Sequence, residues 1–188
     1  MKMCSALARR GHEVVLVVKR GKDLGVDDHD YYCVDRNFTL EKLPRPARRG
    51  GGMVYAMAMA GTVLRRRAWA DLIYSRDQIG TILAARTKIP LVWEAHGVPS
   101  VSWRRRAIAN AISRPQAAGV VTISEALRRD LQTTGITNAT SRVVVAHDAC
   151  DLPTISLERQ PHSRPVVGYV GGLHPGRGIE MVVALASA

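Results

Sequence analysis

The segment Val166 to Glu180, VVGYVGGLHPGRGIE, sets an apolar run, a glycine turn, a guanidinium and a helix start in that order. Val166, Val167, Tyr169 and Val170 predict a short buried strand closing into a tight turn at Gly171 and Gly172. Gly178 with Ile179, Met181, Val182, Val183 and Leu185 predicts a helix directly after it. Backbone N–H groups at such a helix start point one way, with the positive end of the dipole behind them, so an anion suits the place. Arg177 stands just before the helix, where a guanidinium can meet two phosphate oxygens at once. Glycine also serves plain β–α connections, so the phosphate reading needs support from the remainder of the chain.

A second group lies at strand ends. His96 follows the apolar run PLVWEA, Ser124 and Glu125 follow GVVTI, and Asp148 follows RVVVA. In open parallel sheets the binding crevice lies beyond the carboxyl ends of the strands, which would put these four residues on one edge as a substrate cleft. An imidazole there can position or polarise a polar ligand, although a histidine at a strand end can equally be structural. His29 beside Asp27, Asp28 and Asp30 offers metal-ligand types, but clustered loop acids are more often solvated, and no metal is expected.

The elements needed to hold these residues are legible as alternation. Met1–Arg10 predicts a helix with Gly11 as its cap, and Val14–Val18 a strand covered on both faces. Gly21–Gly52 is loop-like, with a short strand at Tyr31–Val34. Met53–Trp69 predicts a buried helix ending in Arg65, Arg66 and Arg67, with a membrane-facing or acceptor-facing role for the arginines as the lesser reading. Strands at Asp71–Ser75, Pro90–Ala95, Gly119–Ile123 and Arg142–Ala146 then alternate with helices at Gln78–Arg86 and Val101–Ile112 and a third capped by Ser124. This is the pattern of an α/β, Rossmann-like doubly wound parallel sheet. It opens with a helix where such a sheet normally opens with a central strand and glycine turn, so the first strand is expected to be missing. Three domain segments are expected: 1–150, a linker at 151–164 rich in proline, and a second α/β unit begun at 165–188.

Composition narrows the class. The chain has 188 residues, 46% hydrophobic, and no apolar run long enough to cross a bilayer. Cys4, Cys33 and Cys150 are odd in number and widely spaced, which argues against a disulfide framework or zinc site and fits a reducing cytosol. The net charge of +11 favours a polyanionic neighbour: nucleic acid, an anionic membrane surface or phosphorylated small molecules.

ALARRGHEVVLVV, DLIYSRD, PLVWEAHG, VVTISEALRRDL, VVVAHDACDL and VGYVGGLHPGRGIE, in this order, resemble the family 4 (group 1) retaining glycosyltransferases of the GT-B fold. The resemblance covers nearly all of the chain. It implies an acceptor-side N-terminal domain, a linker, and the first βα unit of a donor-binding domain, truncated at both ends. It further implies transfer of a sugar from a nucleotide-diphosphate-sugar donor to a saccharide or lipid-linked acceptor, with retention and without cofactor or metal. On matching positions, Gly171, Gly172, Arg177 and Gly178 would hold the donor diphosphate and His96 would be the catalytic histidine near the sugar. Many members carry arginine where this chain has Gly172, and the family's late glutamate pair has no counterpart here, so the chain alone is expected to be inactive. A role in polysaccharide biosynthesis for the cell envelope, in the cytoplasm or peripherally at the inner membrane face, follows as an expectation.

Three other readings remain open. An NAD-dependent or epimerase-type Rossmann enzyme needs an early glycine fingerprint that the sequence does not show. A basic nucleic-acid-binding module is disfavoured by scattered aromatics and arginines spread over different helices. A catalytically silent glycosyltransferase-like subunit would require a partner chain to complete its cleft.

Overall fold

The computed structural model describes residues 1–21, 23, 25–44, 46, 50–151, 166, 168–171, 176 and 178–186. They fall into two units, Met1–Asp148 and Ala149–Ala188.

The first unit opens with α1, Lys2–Arg9, whose end is set by Gly11 at φ 88°. The Gly11 amide donates to the Ala8 carbonyl and the His12 amide to the Leu7 carbonyl, closing the last helical turn as the sequence predicts. The chain then enters β1, Val15–Lys19. Its valines are only half-buried, a correction to the expectation of a strand covered on both faces. The reason is that β1 pairs only with β2, Thr39–Leu43, in a two-stranded parallel sheet.

The loop expected at 21–52 is more ordered than its composition suggests. In place of the strand at Tyr31–Val34 there is a short helix α2, Asp28–Tyr31, begun by the Asp27 carboxylate accepting from the His29 amide at 3.0 Å. A side-chain acceptor at that position commits the next residues to helix before strand propensity can act. The strand instead forms as β2, where Glu41 and Lys42 interrupt the apolar pattern. Gly50, at φ 88°, and Gly51 then turn the chain into α3, Gly51–Arg66. A Cβ at Gly51 would sit 1.8 Å from the Pro46 carbonyl oxygen, so only glycine fits there.

The larger sheet is parallel throughout, in the order β3 (Ile73–Ser75), β4 (Leu91–Ala95), β5 (Ala117–Thr122), β6 (Val143–Val145). Between these strands lie α4 (Gln78–Ala84), α5 (Ser102–Ile112) and α6 (Glu125–Thr133). The registers Ser75 to Trp93, Ala95 to Thr122 and Thr122 to Val145 bring all four carboxyl ends to one edge. The main core joins Trp93 and Ala95 of β4 to Ile108 of α5, Val120 of β5, and Leu127 and Leu131 of α6. A second cluster packs Ala84, Ala85, Leu91 and Ala111, and a third packs Leu43 with Tyr55 and Met59 of α3. This is the α/β, Rossmann-like class that the alternation of elements predicts, with its parallel strands in two sheets.

In the second unit, α7 spans Ile179–Ala186, where the sequence places a helix. The strand expected at Val166–Val170 is not seen: Val166, Gly168, Tyr169 and Val170 have no strand conformation, and Val170 is fully exposed. A strand exists only where a neighbour completes its ladder, and none of the described residues of this unit provides one.

Candidate functional site

The carboxyl edge of the larger sheet carries an interlocked set of polar side chains. Glu94 and His96 are two residues apart at the end of β4, so their side chains leave the same face. Glu94 is only 8% exposed. A buried carboxylate must be paired, and here His96 Nε2 lies 2.5 Å and Arg76 Nε 3.5 Å from its Oε1. Arg76, just beyond the end of β3, also places a terminal guanidinium nitrogen 3.1 Å from His96 Nδ1. Arginine has only donors, so Nδ1 accepts and the ring proton sits on Nε2, facing the carboxylate. Both ring nitrogens are thus engaged within the protein.

The second carboxylate oxygen, Glu94 Oε2, is buried without a hydrogen-bond partner, and so is Gln78 Oε1. On β3, the phenol of Tyr74 is pushed up to about 12 by burial, helped by the negative charge of the Glu94 carboxylate and by the phenol's hydrogen bonding to it. A cleft of about 260 Å³ opens here, lined by Arg76, Gln78, Trp93, His96, Gly97 and Val98. A second hollow of about 300 Å³, lined by residues such as Ser102, Arg105, Arg106 and Thr134, touches none of the residues singled out in the sequence.

The other strand-end residues are engaged differently. Ser124 Oγ accepts from the Leu127 amide at 3.2 Å, which makes it the N-cap of α6. Glu125 is paired with Arg128 one turn along, with contacts of 2.8 and 3.0 Å to Arg128 Nε. Asp148 is exposed at the end of the segment that follows β6. The acids around His29 are held by cations: Arg36 reaches Asp27 at 3.0 Å and Asp30 at 2.9 Å, and Lys42 pairs with Asp28. Among the described residues no group of three or more potential ligands could hold a metal ion.

In the second unit Gly178 lies at φ 86° directly before α7. Its carbonyl accepts from the amides of Met181 and Val182, as at a helix start. The Glu180 carboxylate accepts from the Gly176 amide at 3.1 Å, so an acidic side chain already takes one amide at the place where an anion is expected. Gly171 packs against Tyr169, with room for a Cβ only 3.0 Å from the phenol oxygen. Gly172 and Arg177 lie outside the described residues.

Residues 1–152 match the model of Glycosyltransferase Family 4. The chain belongs to this family. No curated protein matches it significantly.

Read as a family 4 glycosyltransferase domain, the chain carries two residues at this edge that the sequence does not single out. Glu94 announces itself only as a carboxylate inside a buried strand, two residues before a histidine. Arg76 follows β3 as Asp148 follows β6, close beyond the same edge, but a lone arginine after a short strand carries no signal of its own. Together they fix the orientation and tautomer of His96, and chemistry at its Nδ1 requires Arg76 to let go.

Proposed function

We propose that this family 4 domain takes part in transfer of a sugar from a nucleoside-diphosphate-sugar donor to a saccharide or lipid-linked acceptor, with retention. On this reading 1–150 is the acceptor-side domain, 151–164 a linker and 165–188 the beginning of the donor-side domain. The bond between the anomeric carbon and the phosphate oxygen breaks, the diphosphate keeps the electron pair, and the acceptor hydroxyl oxygen forms the new bond while its proton passes to an oxygen of the departing diphosphate. The growing negative charge is met by arginine and backbone amides in place of a divalent ion. The observation that carries the proposal is the family match over residues 1–152, joined to a buried Glu94 carboxylate that pairs with the exposed His96 and Arg76 at the carboxyl edge of the sheet.

That set suggests how donor and histidine are coupled. A diphosphate is a better partner for a guanidinium than a neutral imidazole is, so an arriving donor draws Arg76 off Nδ1. The freed nitrogen then accepts a hydrogen bond from a sugar hydroxyl, while Glu94 keeps the ring in place from behind. Titration with UDP- and GDP-sugars, followed through the imidazole nitrogen resonances of His96 and the guanidinium resonance of Arg76, tests this. Both resonances are expected to move with the nucleotide sugar and not with the free sugar. An unchanged spectrum, or the same response to sodium chloride at matched ionic strength, overturns the assignment.

A further inference from the structure

The hollow of about 300 Å³ beside α5 has two unlike walls. One is made by Ser102, Arg105, Arg106 and Ala109, which share one line along the helix at i, i+3, i+4 and i+7. The other is the turn that leaves α6, Thr134, Gly135 and Ile136. The polar groups of this turn are already spent on α6. The Thr134 hydroxyl donates to the Asp130 carbonyl at 2.7 Å, the Gly135 amide to the Gln132 carbonyl and the Ile136 amide to the Leu131 carbonyl. The α5 wall is not closed in this way. Arg105 donates to the Pro99 carbonyl at 3.5 Å and to Ser102 Oγ at 3.3 Å, both neutral, and these use only part of a guanidinium's five N–H donors. Among the described residues neither Arg105 nor Arg106 has a carboxylate partner, α5 contains no acid, and none lines the hollow. Arg104, by contrast, is turned aside, with its guanidinium 5.3 Å from the centre of the Trp103 ring. Two successive guanidinium groups at a concave surface with no acid opposite favour an anion between them.

We propose that this hollow binds a small organic phosphomonoester. Arg105 and Arg106 would hold the phosphoryl oxygens, and the Ser102 hydroxyl, whose oxygen accepts from Arg105, would donate its proton as a third contact. A phosphomonoester brings about two negative charges and three acceptor oxygens, enough for both arginines at once. Ala109 and the buried Ile136 offer an apolar floor for the carbon skeleton. A volume of about 300 Å³ is at the lower end for small-molecule sites. A nucleic acid strand is a poorer occupant, because it needs rings on which bases stack, and the neighbouring Trp103 already carries Arg104.

The inference stands apart from the sugar-transfer reading and is tested without it. The whole chain, labelled with nitrogen-15, is titrated with glycerol 3-phosphate, with glycerol, and with inorganic phosphate at matched ionic strength. Glycerol 3-phosphate is expected to move the amide resonances of Gly135 and Ile136 and the side-chain N–H resonances of Arg105 and Arg106. It is expected to bind more tightly than inorganic phosphate, and glycerol to move nothing. Arg106→Gln, at an exposed position, is expected to weaken binding about tenfold or more. Arg10→Gln, the same change of charge at the exposed end of α1, is expected to leave it within about twofold. Unchanged circular dichroism shows that both variants remain folded. Equal loss in the two variants would mean attraction by net charge alone and would overturn the proposal. So would equal affinity for inorganic phosphate, or shifts at His96 and Arg76 with none at Gly135.

Discussion

Glu94 governs its neighbours by charge as well as by contact. Its carboxylate is the negative group near Tyr74, but burial is the larger cause of the raised phenol value. Glu94→Gln is therefore expected to bring the Tyr74 titration down from about 12 while leaving it above the ordinary phenol value, as followed by tyrosine ring-carbon resonances under alkaline conditions. A fall all the way to the ordinary value would mean that the charge, and not burial, dominates. The same substitution exchanges the charged acceptor that holds the His96 proton on Nε2 for a neutral amide whose NH2 group can donate instead, so the imidazole nitrogen resonances should report a mixture of tautomers. Sequence reasoning could reach His96, because a polar residue at the end of a buried strand stands out. It could not reach the Arg76 contact, since β3 and β4 are joined by a helix and their alignment is set by packing of Leu91, Ala84 and Ala85, not by any local pattern.

At the level of single elements, two side chains decide where helices start and how they are held. Ser124→Ala is expected to lower stability by about 1 kcal/mol, through loss of the α6 cap, and Ser124→Asp to restore it, as measured by denaturant unfolding. Glu41 on β2 ties that strand to α3: Thr62 Oγ1 lies 3.2 Å and Arg66 3.3 Å from its carboxylate oxygens, and Arg65 is also in contact. Partial burial alone would push its carboxyl up, but the Thr62 hydroxyl and the two guanidinium groups outweigh that and hold it below the ordinary value. A lowered folded-state value stabilises the protein above the unfolded-state value, and the contribution is lost as pH falls through the folded one. Glu41→Gln should thus cost about 1.5 kcal/mol near neutral pH and progressively less as pH drops below about 4, seen in thermal melts across that range. The same residue explains why β2 is hard to read: a carboxylate placed in a strand for tertiary pairing spoils the alternation that marks strands. By contrast β4, β5 and α6 are legible because LVWEA and AAGVVT are bounded by turn residues and Ser124 is followed by an acid in the first turn.

Among the described residues, the three core clusters all belong to the part before Asp148. A chain ended at Asp148 is therefore expected to melt within a few degrees of the full chain, and a large drop would show that the remaining residues support the first unit. The parallel arrangement has a further effect. Among the described residues, two separate sheets leave β1, β2, β3 and β6 each with a row of amides and carbonyls that no other strand matches, twice the number that one continuous sheet of the same strands would have. Val144 on β6 adds exposed apolar area beside one of those rows. Strand borders are therefore where copies of the molecule are expected to join, and a net charge of +11 is expected to oppose their approach. Raising salt should accordingly shorten the time before turbidity sets in, at a temperature where the fold itself is intact.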